Sequence, residues 1–202
     1  MVTFIFKRSK AMNICVYGAS SNDIDKIYIT ASENLGKKMA ERSHTLIYGA
    51  GAGGVMGGTA RGVTAGGGKI IGIVPDFFNV DGMLYDKCSE LIKTSTMRER
   101  KQTMEDKADA FIMSPGGIGT FDEFFEMLTL KQLSRHTKAM AIFNVNGYFD
   151  NLIALLENAI SENFVKSECR ELYSVFSDID SMLDYIEDYV PKDLNILNFK
   201  NI

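Results

Sequence analysis

A chain of 202 residues, 46% hydrophobic and 24% charged, is long enough for one sizeable core and too ordinary in composition to be disordered or fibrous. Its formal net charge of -4 offers no general field for nucleic acid or anionic lipid, so neither is an expected partner. Cys15, Cys88 and Cys169 stand far apart, odd in number and without a C-x-x-C spacing, so neither a disulfide framework nor a zinc site is indicated and the thiols suit a reducing cytoplasm.

The first ten residues place their apolar stretch ahead of their charges and have no small-residue cleavage site, the wrong order for a secretory signal. No stretch is apolar for long enough to span a membrane. Met12 directly precedes the first strand-like run, so residues 1–11 are expected to be an extension, residues 12–190 a single domain and residues 191–202 a tail. Short β-rich runs at 13–18, 45–49, 69–74, 90–94, 109–114, 139–144 and 172–176 predict strands. Between them, helices are predicted at 24–42, 54–65, 96–107, 119–134, 148–162 and 178–189. The clearest is the first, where Ile24, Ile27, Tyr28, Ala31, Leu35 and Met39 recur at helical spacing. This alternation predicts an α/β, Rossmann-like fold, a parallel sheet with helices on both faces.

In such sheets ligands sit beyond the carboxyl ends of the strands, which directs attention to three turns, at 18–21, 49–54 and 115–120. Gly49-x-Gly51-x-x-Gly54 follows a strand, and Asp76 lies after the next one, the arrangement of a dinucleotide site. The pattern is weak, because glycines also serve turns and close packing, and the bias continues through Gly57, Gly58, Gly62 and Gly66 to Gly68. The third turn is stronger. Pro115 stops the strand, Gly116, Gly117 and Gly119 let the backbone approach a ligand, and Thr120 stands where a helix begins. Backbone amides and the helix dipole make a phosphate site there, to which the Thr120 hydroxyl adds a donor. Thr120-x-x-Glu123 also reads as a capping box, in which both side chains only satisfy free amides.

Met97-Arg98-Glu99-Arg100-Lys101 tips the balance. Thr96-x-x-Glu99 is a capping box of its own, so three cations fall in the first two turns of a helix, against its positive dipole end. Parallel topology puts that helix start on the same sheet edge as the glycine turn, and cations held there point to an anionic partner. His44 and His136 read as cations at helix C-termini, and no cluster of residues suggests a metal. Phe121, Phe124 and Phe125 read as a core stripe with Leu128, not as a platform for nucleic-acid bases.

Met97-x-x-Arg100-Lys101 followed by Pro115-Gly116-Gly117-x-Gly119-Thr120-x-x-Glu123 resembles the Lonely Guy (LOG) family, the cytokinin riboside 5'-monophosphate phosphoribohydrolases. Cys15 to Ser21, Tyr48 to Gly51 with Gly54 to Gly57, Gly72 to Pro75, Thr129-x-x-Gln132-Leu133 and Phe143 to Phe149 extend the resemblance over roughly residues 13–165. Members of the family often carry a lysine decarboxylase label, which is rejected here because nothing indicates a pyridoxal phosphate lysine. The resemblance implies hydrolysis of the N-glycosidic bond of a nucleoside 5'-monophosphate, AMP or N6-modified AMP, by a homodimer with no cofactor or metal. It further implies that Gly116, Gly117, Gly119 and Thr120 hold the phosphate, that Lys101 and Thr129 line the same pocket, and that Ser20, Gly49 and Met97 contact the nucleotide. Glu123 would face the ribose and Arg100 would position the nucleotide or assist the leaving base, the two catalytic assignments. Arg98 stands where the family commonly has His, and Ala50 where it has Gly. The alternative is a non-catalytic nucleotide or pterin-cofactor carrier of the same fold.

Overall fold

The apolar runs form seven parallel strands among the residues that the computed structural model describes, 10–78, 82–191 and 199. They are β1 (Asn13–Tyr17), β2 (Thr45–Tyr48), β3 (Lys69–Pro75), β4 (Glu90–Thr94), β5 (Ala110–Met113), β6 (Ala139–Phe143) and β7 (Ser174–Phe176), in the order β4-β3-β2-β1-β5-β6-β7. The helices are α1 (Lys26–Glu41), α2 (Gly54–Ala65), α3 (Met97–Lys107), α4 (Ile118–Gln132), α5 (Asp150–Ser161) and α6 (Ile179–Glu187). The Rossmann-like α/β fold expected from the sequence is the one observed. The remainder of the expected extension, residues 1–9, and most of the expected tail, 192–198 and 200–202, lie outside the described residues.

Because successive side chains of a strand point to opposite faces, each strand feeds two cores. Ile14 and Val16 of β1 pack with Leu35 and Met39 of α1, Val63 of α2 and Leu183 of α6. Cys15 and Tyr17 join Met104 of α3 and Phe124 and Met127 of α4 on the other face. Covered on both sides, β5 and β6 are buried throughout, which is why their sequences read as continuous apolar runs rather than alternations.

Some expectations shift. The first helix begins at Lys26 because the Asp25 side chain accepts from the Ile27 amide at 2.9 Å, which leaves Ile24 before the helix and Ile27 44% exposed. The rest of the expected stripe holds, with Leu35 and Met39 buried and Tyr28 and Ala31 packed against the same core, and Ser32 and Gly36 join the buried face. A Cβ on Gly62 would strike the Glu33 carbonyl oxygen and lie 2.9 Å from the Lys37 nitrogen, so this part of the glycine bias is packing. The seventh strand starts only at Ser174, since residues Ser167–Leu172 wind into a 3₁₀ turn that buries Cys169 and Leu172.

His136 is not the helix-end cation expected from its position. It is buried, its Nε2 lies 2.8 Å from the Met127 carbonyl oxygen, and its Nδ1 accepts from the Lys138 amide at 3.2 Å. Burial pulls its pKa down to about 4, so the ring is neutral near pH 7. His44 is also buried, with Nδ1 accepting from the Met12 amide at 3.2 Å and Nε2 2.8 Å from Glu187 of α6.

Candidate active site

The strand order reverses direction between β1 and β5, and a parallel sheet opens a crevice beyond its carboxyl edge at such a point. A cavity of about 440 Å³ lies there. It falls within the range of small-molecule sites. Its walls come from the turn after β1 (Gly18 to Ser21), the turn after β2 (Gly49, Gly51), the end of β3, and the starts of α3 and α4. All three glycine turns singled out in the sequence therefore meet at one place.

One end of the cavity is formed by the start of α4. Its N-cap is Gly117, which has no side chain to cap the helix, so the first amides stay open where Gly117, Gly119 and Thr120 line the cavity. The capping-box reading of Thr120 and Glu123 is thereby overturned. The helix begins two residues before Thr120, placing that residue inside the first turn and 3% exposed, and Glu123 bonds elsewhere. At Thr96 the box half forms: Thr96 accepts from the Glu99 amide at 3.1 Å, while Glu99 reaches past the cap to the Ser95 amide at 2.7 Å.

Arg100 and Glu123 make a buried ion pair in the cavity wall. Nη1 of Arg100 donates to Oε1 of Glu123 at 2.6 Å, and Nε donates to the Ile73 carbonyl oxygen at 3.1 Å. The side chains are only 10% and 12% exposed. Burial pushes the Glu123 carboxyl above the usual carboxylate range, and the adjacent Arg100 guanidinium pulls it back only in part. Gly49 makes room for this arrangement, since a Cβ there would fall on the guanidinium. Behind the pair, burial raises both the Cys15 thiol and the Tyr17 hydroxyl, which leaves a neutral floor under the one buried carboxylate of this wall.

The other wall is apolar. Met56, Val74, Pro75, Phe78, Met83, Leu84 and Met97 face the cavity, of which only Met97 was expected from the sequence to contact a ligand. The position of Val74 and Pro75 at the carboxyl end of β3 was the available signal, because any residue there faces the ligand edge. Met83 and Leu84 carried none. They are held by backbone bonds from Ala52 N to Met83 O and from Tyr85 N to Ala50 O, each 2.9 Å.

Ser20, Gly49, Met97, Arg100, Gly117, Gly119, Thr120 and Glu123 are thus brought together around one cavity. Three expected pocket residues are not. Lys101 turns to α4, where its ammonium pairs with Asp122 at 3.1 Å and Glu126 at 2.6 Å. Thr129 lines a separate apolar cavity with Phe125, Leu128 and Gln132. Gly116 lies just behind the wall, where a Cβ would strike the Thr120 hydroxyl and lie 2.9 Å from the Ala19 nitrogen. Asp76, the acid that a dinucleotide site would need, is exposed in a 3₁₀ turn and does not line the cavity. Arg98 is exposed beside the site, and Ala50 takes a left-handed φ of 62°, a strained choice where glycine would be relaxed. Among the described residues no group of His, Cys, Asp and Glu could hold a metal ion, and no helix is long and apolar enough to cross a membrane.

A family model described as "Possible lysine decarboxylase" matches residues 56–186. A cytokinin riboside 5'-monophosphate phosphoribohydrolase of Arabidopsis thaliana is 37% identical over 185 residues, covering 92% of this chain and 87% of the relative. A protein of the same name from Oryza sativa subsp. japonica is 34% identical over 186 residues, covering 92% and 77%. The molybdenum cofactor carrier protein of Chlamydomonas reinhardtii shares the fold with a TM-score of 0.64 at 19% identity, over 88% of this chain and 96% of that one.

Proposed function

The chain belongs to the Lonely Guy family of cytokinin riboside 5'-monophosphate phosphoribohydrolases, and we propose that it hydrolyses the N-glycosidic bond of AMP or an N6-modified AMP. The products are a free base and ribose 5-phosphate. The observation that carries this reading is a buried Arg100–Glu123 pair set beside the open amides of α4, within one cavity.

The 5'-phosphate accepts from the amides around Gly117 and Gly119 and from the Thr120 hydroxyl, in the field of the helix dipole. The base lies against the apolar wall of Phe78, Met83 and Met97, with Ser20 opposite. This leaves the ribose beside Glu123. As the bond from C1' to the base nitrogen breaks, positive charge develops on C1' and its ring oxygen, and a carboxylate alongside stabilises it. The ion pair engages Oε1 of Glu123, so Oε2 is the atom for the sugar or an attacking water. Arg100 fixes the carboxylate in place and lends positive charge to the departing base. Water supplies the hydroxyl that C1' gains and the proton that the base takes up. Lys101, tied to Asp122 and Glu126, holds α3 against α4 and so keeps Arg100 in register with Glu123.

Incubation with AMP and with isopentenyladenosine monophosphate, followed by chromatography, is expected to yield base and ribose 5-phosphate in equal amounts. Release of no base from any nucleoside monophosphate sinks the reading.

We further propose a cytoplasmic homodimer without nucleic acid or membrane as partner. The free thiols of Cys15, Cys88 and Cys169 suit a reducing compartment. Support for the dimer comes from α5, an apolar helix with no residue fully buried, where Leu155 is 62% exposed and the following Phe164 84%. Light scattering on Leu155→Glu is expected to show a monomer where the parent chain is a dimer; an unchanged mass places the interface elsewhere.

A further inference from the structure

The segment from Phe143 to Phe149 resembles the family but supplies no wall of the cavity. Its structure is nevertheless specific. Asn144 closes the turn after β6 on itself, its Oδ1 accepting from the Phe149 amide at 2.8 Å and its Nδ2 donating to Asp150 at 2.7 Å. Asn146 and Gly147 both take left-handed φ values, 50° and 71°, and a Cβ on Gly147 would lie 2.6 Å from the Asp150 carboxylate. The strained turn delivers one side chain, Tyr148, across to the phosphate-binding turn.

The Tyr148 ring is clamped edge-on between Tyr28 of α1, centroids 5.4 Å apart, and Phe149, centroids 4.9 Å apart. Its hydroxyl donates to the Gly116 carbonyl oxygen at 2.8 Å. The carbonyl before it, that of Pro115, accepts from the Ala19 amide at 3.0 Å. In a trans peptide the N–H points opposite to the C=O. Fixing the Gly116 carbonyl from outside therefore aims the Gly117 N–H the other way, on the side where Gly117 lines the cavity. A turn of three glycines has little of its own to hold a peptide plane in one orientation.

We propose that Tyr148 is a positioning residue for phosphate recognition: its hydroxyl locks the Gly116–Gly117 peptide in the orientation that presents an amide to the ligand's phosphate. The inference rests on the reading of α4 as the phosphate site but not on hydrolysis. A tyrosine that only glued its own turn to α4 would support every ligand equally, whereas a tyrosine that presents an amide supports only those carrying phosphate.

Tyr148→Phe keeps the ring and its edge contacts and removes only the hydroxyl. Calorimetric titration of the full chain with inorganic phosphate, AMP and adenosine reads the difference. Binding of phosphate and of AMP is expected to weaken about five- to tenfold, the value of one hydrogen bond, while adenosine binding holds within about twofold. KM for AMP is expected to rise by the same factor with kcat nearly unchanged, and Tm to fall by no more than about 5 °C. Equal losses for AMP and adenosine, or unchanged binding of phosphate and AMP, overturn the inference. Selective loss of phosphate affinity in a protein that releases no base upholds it and removes only the hydrolase reading.

Discussion

Glu123→Gln is expected to lower kcat by about 10²- to 10³-fold while AMP binding changes by less than about fivefold, an effect of the size seen when one electrostatic stabiliser of a transition state is removed. The substitution is nearly isosteric, and the amide oxygen can still accept from Arg100. Only the negative charge beside C1' is lost. The charge is also costly to maintain: burial raises the Glu123 pKa, so its ionised form is disfavoured, the pattern found where a carboxylate serves chemistry. The sign follows directly. The folded-state pKa lies above the unfolded value, so this group's contribution to stability diminishes as pH rises through that window, while activity, on the role proposed for the carboxylate, is expected to increase. The acid limb of kcat/KM is expected above pH 4.5, the ordinary glutamate value, and Glu123→Gln is expected to lack that limb. A variant with turnover near the parent's leaves Glu123 as a structural partner of Arg100.

Gly49→Ala is the second large effect, and it acts without touching a reacting group. The new methyl occupies the space of the Arg100 guanidinium and comes within 2.8 Å of Met56. Arg100 must then shift, which strains its bonds to the Ile73 carbonyl and Glu123 and is expected to loosen the hold of the cation on a buried carboxylate. Breaking a buried pair typically costs about 3–5 kcal/mol, so a fall in Tm of several degrees and a loss of activity of about 100-fold or more are expected together. Thermal denaturation and steady-state kinetics check it. Unimpaired activity in Gly49→Ala means that Arg100 can work from another position.

The fold was legible because its signals are local. Apolar runs of strand length, glycine turns and a helical stripe lie within a few residues of one another, and they placed every strand of the sheet to within a few residues. The site was half legible. The three glycine turns could be sent to one sheet edge by topology alone, but the partner of Glu123 is a tertiary fact. A threonine and a glutamate three apart satisfy a capping box on paper, and only the observed helix start and the reach of Arg100 decide against it. Helical phase explains two of the misplaced residues. Lys101 is one step of about 100° from Arg100, and Thr129 lies about 240° around α4 from Glu123, so neither shares its neighbour's face. The charge of His136 was misjudged because its position at a helix end was visible in sequence and its burial was not.

The segment carrying Met83 and Leu84 is tied to the turn after β2 through main-chain hydrogen bonds, and its side chains take no part in that attachment. Met83 and Leu84 can therefore be exchanged without breaking the backbone bonds that hold their segment in place. On the proposed reading, the cavity would pair a fixed end that recognises what all its ligands share with a replaceable end that meets what distinguishes them. Selection for a new nucleobase would find its raw material at Phe78, Met83 and Leu84, at little risk to the rest of the chain.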